Sequence, residues 1–414
     1  MKILLVEPDF PIPPKSKNHK NFLPIGLLKI ATYLRDNGSE VLLFRGIPKS
    51  IDEEKSLLTF NPNEIWITSL FTYWAIYVKN TVQYFRGLFP KSVIKVGGIY
   101  ASLFQAEEVK KFTECDEVIQ GIIPEVEEYS MTHLPAYDLI NNFNNHPIDY
   151  QIIHVSRGCK RKCAFCGTWK IEPVFLYKTT IKNEIKFKKI VIYDNNFFMN
   201  PRIEDIVNEL IELKRQKKIK WIESQSGFDG RILIEKKHLA QMIKKAGFIN
   251  PRIAWDGHYD QFPIIEEQIK ILMEAGYRNS DIYIFMIYNW EIPFEEMEKK
   301  RIKCWEWKIQ IADCRYRPLN QLYDNFNVRI KGQSIKDYYI HFKTGWTDLT
   351  IKQFRTNVRR QNICVRHKFP FYSKILENKK IDKEILKEIK SIQSLEDKIF
   401  FLKEKRIDFW LPDK

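Results

Sequence analysis

Two successive runs of alternating strand-like and helix-like segments constrain the fold of this 414-residue chain more than any other feature. In the first run, short apolar segments such as "KILLVEP" and "EVLLF" alternate with amphipathic stretches such as residues 24–38. This alternation is typical of a parallel sheet that is covered by helices on both faces. We therefore predict a doubly wound, Rossmann-like domain over residues 1–125, with its ligand edge beyond the carboxyl ends of the strands.

The second run begins after residues 126–149, which are polar and irregular and which we interpret as a linker. Helical segments with one apolar face separate its strand-like segments, and six strand–helix units are too few for a closed eight-fold barrel. We predict an open, partial (β/α)6 barrel of the TIM type over residues 150–320, with its chemistry at the carboxyl ends of the strands. Its predicted strands are "QIIHVS", "KIVIYDN", "WIESQSGF", "RIAWDG", "IYIFMIY" and "IQIADCRY".

Residues 321–414 are predicted to form a helical C-terminal region, so the chain as a whole is assigned to the α/β class. One helix is expected to begin near Thr347, whose side chain can cap it. One or two further helices are expected within residues 380–405.

The composition is that of a globular protein, with 44% hydrophobic and 14% aromatic residues. The opening "MKILLVEPDF" predicts a buried strand and not a signal peptide, and no stretch approaches the ~18 apolar residues of a membrane-spanning helix. We therefore expect a cytoplasmic protein whose seven cysteines are reduced thiols or metal ligands.

The formal net charge of +15 raises the question of a nucleic-acid partner. The charge is spread along the chain, and the most concentrated basic stretch, residues 352–368, is equally typical of a solvated helix face. Nucleic acid therefore ranks below a small molecule or a peptide as the expected partner.

Three cysteines, Cys159, Cys163 and Cys166, stand within "SRGCKRKCAFCGTW", directly after the first predicted barrel strand. Thiolates select zinc, copper(I) or iron–sulfur clusters, and three of them on one loop can hold three corners of a four-iron cubane. The fourth iron is then open to a substrate or cofactor. The basic residues 160–162 are expected to offset the cluster's negative charge and to lower the thiol pKa values. A zinc site completed by a distant ligand and three unrelated thiols are the alternatives.

The C-x3-C-x2-C pattern, with Phe165 before its last cysteine, resembles that of the radical S-adenosylmethionine (SAM) superfamily. The first domain resembles the cobalamin-binding-type domain of one large class of these enzymes, through "LPIGLLKIATYLRDNGSEV", "VGGIYAS" and "EVIQGIIPEVEE". Together the two resemblances cover roughly residues 1–320. They imply that SAM chelates the open iron of a 4Fe–4S cluster and is cleaved reductively, with an electron from an external flavodoxin- or ferredoxin-type donor. The resulting deoxyadenosyl radical would abstract a hydrogen atom from an unactivated carbon.

The resemblance also implies, by position alone, which strand ends contact SAM. The second strand end would hold the amino group, the third would offer further polar contacts, the fourth would hold the ribose hydroxyls, and the sixth would clamp the carboxylate. Polar residues at strand ends also commonly cap loops, which is the alternative for each. The candidates are Asp194, Asn195 and Asn196 on the second strand, Gln225, Ser226 and Asp229 on the third, Asp256 on the fourth, and Arg315 and Arg317 on the sixth.

The cobalt-binding D-x-H-x-x-G motif of some cobalamin proteins is missing from the sequence, and His19, His133 and His146 do not stand in such a setting. Two alternatives follow for the first domain. It binds cobalamin without a protein ligand to the cobalt, or it has lost the cofactor and serves as a cap over the barrel.

The remaining cysteines and one further histidine have simpler interpretations. Cys304, Cys314 and Cys364 lack any C-x2-C pair, so they are interpreted as buried small hydrophobes, and Cys115 as inert. His258, after the fourth strand, is interpreted as a surface loop histidine in preference to a proton-transfer residue.

The leading hypothesis for function is a radical SAM enzyme, of the kind that transfers a methyl group with cobalamin or otherwise modifies an unactivated carbon. RNA modification by the same barrel is the second, and a non-catalytic zinc-binding or electron-transfer protein is the third. The sequence assigns no catalytic residue, and neither the substrate nor the oligomeric state can be inferred from it.

Overall fold

The structure is a computed structural model, and it describes residues 1–13, 22–141, 148–377 and 383–413. The first domain is built on a five-stranded parallel sheet with the strand order β2-β1-β3-β4-β5. The predicted doubly wound arrangement is confirmed. Its elements are β1 (Lys2–Glu7), α1 (Ile25–Asp36), β2 (Glu40–Arg45), α2 (Ile51–Phe60), β3 (Glu64–Ser69), α3 (Ala75–Leu88), β4 (Val93–Gly98), α4 (Ile99–Leu103), α5 (Ala106–Thr113) and β5 (Glu117–Ile119).

Strand β1 explains why this sheet is covered on both faces. Its apolar residues are fully buried, and successive side chains on a strand point to opposite faces of the sheet. Leu4 and Val6 pack into one hydrophobic cluster, while Ile3 and Leu5 pack into another. An uninterrupted apolar run, rather than an alternating one, is therefore the pattern that a doubly covered strand requires.

The segment between the two strand–helix runs contains α6 (Pro124–Tyr129) and α7 (Asp138–Asn141). Tyr137 and Ile140 are buried in the same hydrophobic cluster as Ile3 of the first sheet and Val191 of the second. These residues thus contribute to the packing between the two runs. The linker boundaries at 126 and 149 remain a prediction; His146, like His19, lies outside the described residues.

Six parallel strands follow in chain order, as predicted. They form two three-stranded sheets, β6-β9-β10 and β11-β12-β13, which single parallel bridges join at Ile222–Phe248 and Phe228–Ile253. The result is an open barrel-type sheet. Its elements are β6 (Gln151–Ile153), β7 (Ser156–Arg157), α8 (Thr168–Ile171), β8 (Leu176–Tyr177), β9 (Lys189–Ile192), α9 (Ile203–Arg215), β10 (Trp221–Ser224), α10 (Gly230–Glu235), α11 (His238–Ala246), β11 (Arg252–Ala254), α12 (Phe262–Glu274), β12 (Tyr283–Tyr288), α13 (Phe294–Glu306) and β13 (Gln310–Arg315).

The C-terminal region contains α14 (Asp348–His367), α15 (Lys383–Ser391) and α16 (Leu395–Glu404). The predicted cap at Thr347 is confirmed, because its hydroxyl accepts a hydrogen bond from the Thr350 amide at 3.2 Å and its amide donates to the Thr350 hydroxyl at 2.9 Å. Residues 321–346 contain only the short 3-10 turn Phe342–Thr344, so the helices begin later than residue 321. Among the described residues, every helix is too short or too polar to cross a bilayer.

Candidate functional site at the carboxyl ends of the barrel strands

The three cysteines lie on one compact loop that follows β6 and β7. All three are free thiols and partly buried. The Cys166 amide donates to the Cys163 carbonyl at 3.0 Å, and the Trp169 indole donates to the same carbonyl at 3.2 Å. Gly158 begins the loop with a φ of +78°, and a Cβ there would lie 2.6 Å from the Val174 carbonyl oxygen. The backbone bonds therefore fix the curvature of the loop that carries the thiols.

The surroundings of the thiols differ from those predicted in one respect. Burial raises the pKa of Cys163, and the negative charges of Asp256 and of the two other cysteines act in the same direction. The expected lowering by the neighbouring basic residues is wrong for this thiol. Desolvation of the Cys163 thiol outweighs the nearby positive charge, while Lys160 lies over the Phe175 ring and Arg161 pairs with Asp229 at 2.9 Å.

No group of three His, Cys, Asp or Glu side chains within the described part of the chain is arranged to hold a single metal ion. Three separate thiolates on one loop are still the donor set that an iron–sulfur cubane takes at three of its corners.

Asp194, at the end of β9, is fully buried and is occupied by the chain itself. One carboxylate oxygen accepts a hydrogen bond from the Val155 amide and the other from the Ser156 hydroxyl, each at 2.6 Å. Burial raises the pKa of Asp194 to about 6, although these two donors oppose the shift. The carboxylate thus anchors the segment between β6 and the cysteine loop.

Two amides near Asp194 retain polar atoms without a partner. Asn196 donates to Asp229 at 3.0 Å, but its Oδ1 is buried and unpaired within the described structure. Gln225, after β10, has a buried Nε2 that is likewise unpaired. Asn195 differs, since it donates to Glu172 at 3.2 Å and accepts from Thr168 at 3.2 Å. One acceptor and one donor at these strand ends are therefore available to a ligand.

Two carboxylates differ in how the chain uses them. Asp229 caps α10, and although burial favours a higher pKa, hydrogen bonds from Asn196 and Arg161 keep the pKa lowered. Asp256 is exposed to solvent, although desolvation by the atoms packed around its carboxyl raises its pKa against the opposing charges of Lys300 and Arg231. Asp256 is therefore the freer of the two. Ser226 contributes its backbone carbonyl, which accepts from Ser224 at 3.0 Å.

Arg315, the last residue of β13, and Arg317, just after it, share Asp324, which accepts from them at 2.5 Å and 2.6 Å respectively. The Arg315 side chain is 2% exposed, and its Nε and Nη1 have no hydrogen-bond partner among the described residues. Both arginines line a cavity of about 270 Å³ together with Phe165 and Tyr73. Phe165, from the cysteine loop, and a ring from the first domain thus face the same space as two cations.

A second cavity, of about 370 Å³, lies between the first domain and the barrel. Lys29 from α1 donates to both oxygens of Glu127 at 3.0 Å, and its ammonium lies 3.2 Å from Nδ1 of His154. Burial lowers the pKa of Lys29 to about 8, and burial with the nearby cations holds the pKa of His154 well below its usual value. A neutral imidazole therefore accepts from Lys29 at one wall of this cavity.

Sequence reasoning missed His154 and Lys29, although a signal existed for one of them. Lys29 stands among Leu27, Leu28 and Ala31 on the buried face of a predicted helix, where a charge needs a specific partner. His154 gave no comparable signal, because its role depends on how the two domains pack.

The edge of the first sheet at this cavity is shaped by small residues. The Ser69 hydroxyl donates to the Gly97 carbonyl at 2.7 Å and accepts from the Ala101 amide at 3.1 Å. Gly98 has a φ of +96°, and a Cβ there would lie 2.1 Å from the Ser69 carbonyl oxygen. Only glycine fits this position, so the two strand ends approach each other closely beside the cavity.

The remaining predicted residues have structural explanations. Cys304 and Cys364 are buried, as expected for small hydrophobes, and Cys115 is buried as well. The prediction is wrong for Cys314, which is exposed on β13 and lines the 270 Å³ cavity. His258 is exposed and its Nδ1 lies 3.0 Å from Glu296, in agreement with a loop histidine.

The most basic stretch, residues 352–368, lies in α14, and several of its cations have partners within the chain. Arg359 pairs with Glu377, Lys352 pairs with Asp348, and Arg360 lies over the Tyr372 ring. This stretch is therefore in part a packed and ion-paired helix face.

The chain is similar in fold to three solved structures of the cobalamin-dependent S-adenosylmethionine radical enzyme OxsB. Identity is 15% to the apo form, 16% to the form with aqua-cobalamin, and 14% to the form with aqua-cobalamin and S-adenosylmethionine, with TM-scores of 0.48, 0.49 and 0.46. The alignments cover 73–74% of this chain and 51–52% of the OxsB chains, so the chain spans about half their length. The sequence matches no known family profile and no curated protein.

Proposed function

We propose that this protein is a radical SAM enzyme in which Cys159, Cys163 and Cys166 hold a 4Fe–4S cluster, with cobalamin in the first domain. The reaction we infer is methyl transfer to, or a related modification of, an unactivated carbon of a small molecule or peptide. The observation that carries the proposal is the position of three free, partly buried thiols directly after the first barrel strand. The carboxyl ends of such strands are where barrel enzymes place their chemistry.

The cluster, reduced by an external flavodoxin- or ferredoxin-type donor, would supply the electron for reductive cleavage of SAM. The chain would bind and orient SAM with the polar atoms that it leaves unpaired at the strand ends. Asn196 Oδ1 can accept from the ammonium group, and Gln225 Nε2 can donate. Asp256 can accept from ribose hydroxyls, and Arg315 retains Nε and Nη1 as donors to a carboxylate.

Asp194 and Asn195 would not contact the ligand themselves but would position the residues around it. Asp194 holds the Val155 amide and the Ser156 hydroxyl, and so fixes where the cysteine loop begins. Asn195 joins Glu172 to Thr168, the residue whose hydroxyl lies 3.3 Å from the Cys166 sulfur. Both side chains would therefore position the cysteine loop. Phe165, on the same loop, lines the cavity of about 270 Å³.

In this proposal the first domain would hold a corrinoid at the edge of its sheet, beside the cavity of about 370 Å³. When bound there, cobalamin would supply a methyl-carrying cobalt close to the barrel. Ser69, Gly97 and Gly98 line the cavity in which we place the ligand, and Lys29 and His154 line it as well. The domain would thus hold the cofactor by shape and buried polar contacts.

Cluster assembly tests the cysteine assignment directly. After anaerobic reconstitution, wild-type protein should hold about four irons and release deoxyadenosine from SAM with a strong reductant. Cys163→Ala should lose both properties, whereas Cys115→Ala, which alters a buried thiol of the first domain, should keep them. Circular dichroism would confirm that both variants fold. Full iron content and SAM cleavage in folded Cys163→Ala would refute the assignment.

Corrinoid binding is tested separately at Gly26, a helical residue that lines the inter-domain cavity and has no atom within 4 Å of its Cβ position. Gly26→Trp should fill the mouth of the cavity and abolish retention of hydroxocobalamin during gel filtration, with the cluster intact. Gly87→Trp is the matched control, since Gly87 is a helical glycine with equally open space, outside the residues that line this cavity. Equal retention by both variants would exclude this cavity as the corrinoid site.

A further inference from the structure

A third cavity, of about 550 Å³, is lined by none of the three cysteines of the cysteine loop. Ser280, which lines it, stands before β12, and Lys308 stands before β13, whereas the cysteines follow β6. Because these strands are parallel in their sheets and follow one another around the barrel, the amino ends of β12 and β13 lie at the opposite face from the cysteine loop. The cavity is therefore separate from the candidate SAM site.

The floor of this cavity is apolar. Cys364, Val365 and Phe369, at the end of α14, are each buried, and Trp305 from α13 forms a partly exposed wall. A volume within the usual range of ligand pockets, with aliphatic and aromatic walls, suits a hydrocarbon or aromatic body.

The rim carries three exposed cations, Arg278, Lys308 and Lys368, and none of the residues that line the cavity is acidic. Arg278 is paired with Asp281 at 2.8 Å. Lys308 and Lys368 form no ion pair within the part of the chain that the structure describes, and the Lys308 ammonium lies 3.4 Å from the centre of the Trp305 ring. Two unpaired positive charges thus stand beside an apolar floor.

We propose that this cavity binds an anionic amphiphile, a carboxylate carried on an apolar body of about ten carbons. Lys308 and Lys368 would contact the carboxylate, while Phe369, Val365 and Trp305 would cover the hydrocarbon. The charge of the rim selects the sign of the head group, and the apolar floor requires the tail. This inference does not depend on the cysteine loop or on SAM chemistry.

The test compares three probes of equal chain length: decanoate, decyltrimethylammonium and decanol. Each would be titrated below its micelle concentration against displacement of anilinonaphthalene sulfonate, followed by fluorescence. Decanoate should bind the wild type saturably with one site per chain, and at least roughly tenfold more tightly than the cationic probe.

Two variants locate the site. Lys308→Gln combined with Lys368→Gln should weaken decanoate binding about tenfold and leave decanol binding unchanged. Lys336→Gln, which removes an exposed lysine elsewhere on the surface, is the matched control and should bind as the wild type does. Val365→Phe, if its thermal unfolding is near that of the wild type, should weaken decanoate and decanol alike by filling the floor. Equal affinity for the anionic and cationic probes, or no effect of the double substitution, would overturn the proposal.

Discussion

Replacing Asp194 with asparagine would remove a buried charge from the end of β9 and leave the shape of the side chain nearly unchanged. The carboxylate is fully buried, and burial raises its pKa from 3.8 to about 6 despite the hydrogen bonds from Val155 and Ser156. Since the folded pKa lies above the unfolded one, the folded state binds this proton more tightly. The stabilisation is therefore fully present below about pH 4 and is lost as the pH rises through about 6.

The magnitude follows from the shift. A difference of about two pKa units corresponds to about 3 kcal/mol over the whole titration. By the linkage relation, roughly 2 kcal/mol of this stabilisation is lost between about pH 4.5 and about pH 7.5. The free energy of unfolding of Asp194→Asn should lack this component, so the difference between wild type and variant should change by roughly 2 kcal/mol, in favour of the wild type at the acid end.

Urea unfolding at several pH values, followed by circular dichroism, measures this difference. Ser156→Ala is the companion variant, because it removes one of the two donors that oppose the rise of the Asp194 pKa. In that variant the pH-dependent component should be larger and extend to higher pH. A wild-type-minus-Asn difference that stays constant across the pH range would refute the claim that Asp194 is a buried, titrating carboxylate.

Three further substitutions test the packing around the cavities of about 270 and 370 Å³. Gly98→Ala should lower the free energy of unfolding by at least about 2 kcal/mol, measured by urea titration, because the Cβ has no space and φ is positive. Asp324→Asn should cost about 3 kcal/mol or more by the same measurement, since buried Arg315 would keep its charge without its anion; a cost below about 1 kcal/mol would contradict this. Glu127→Gln should cost a similar amount, because it leaves buried Lys29 without its carboxylate, and a Lys29→Met/Glu127→Gln double variant should recover part of the loss.

The order of the elements was predictable because it depends on local patterns. The apolar run of residues 3–6 indicated a strand that is buried on both faces, and Leu4 and Ile3 indeed pack into different clusters. The start of α14 was predictable from Thr347, since a capping hydroxyl acts within its own helix turn. The helical character of residues 124–129 escaped prediction, although Pro124 at the first helical position and Glu125 in the first turn are typical signals.

The candidate site was predictable in its cysteines and less so in its polar contacts. Three thiols within eight positions lie on one short segment, and this spacing does not depend on how the rest of the chain packs. The partners of a polar residue at a strand end depend instead on backbone groups from other segments. The sequence offered Asp194 as a contact for SAM, but the Val155 amide, 39 positions away, needs an acceptor and occupies it.

This dependence divides the polar residues at the strand ends into two groups with different roles. Asp194 and Asp229 have their oxygens occupied by the chain, so their substitution should first disturb the loops that they hold. Asn196 and Gln225 each bury one polar atom that the described chain leaves unpaired, at a cost of about 1–3 kcal/mol per atom. Other buried polar atoms are also unpaired within the described chain, such as Gln268 Oε1 and Glu298 Oε1, so the two amides are distinguished by their place at the strand ends. We therefore expect the unpaired amide atoms, rather than the buried carboxylates, to contact a polar ligand at this edge of the barrel.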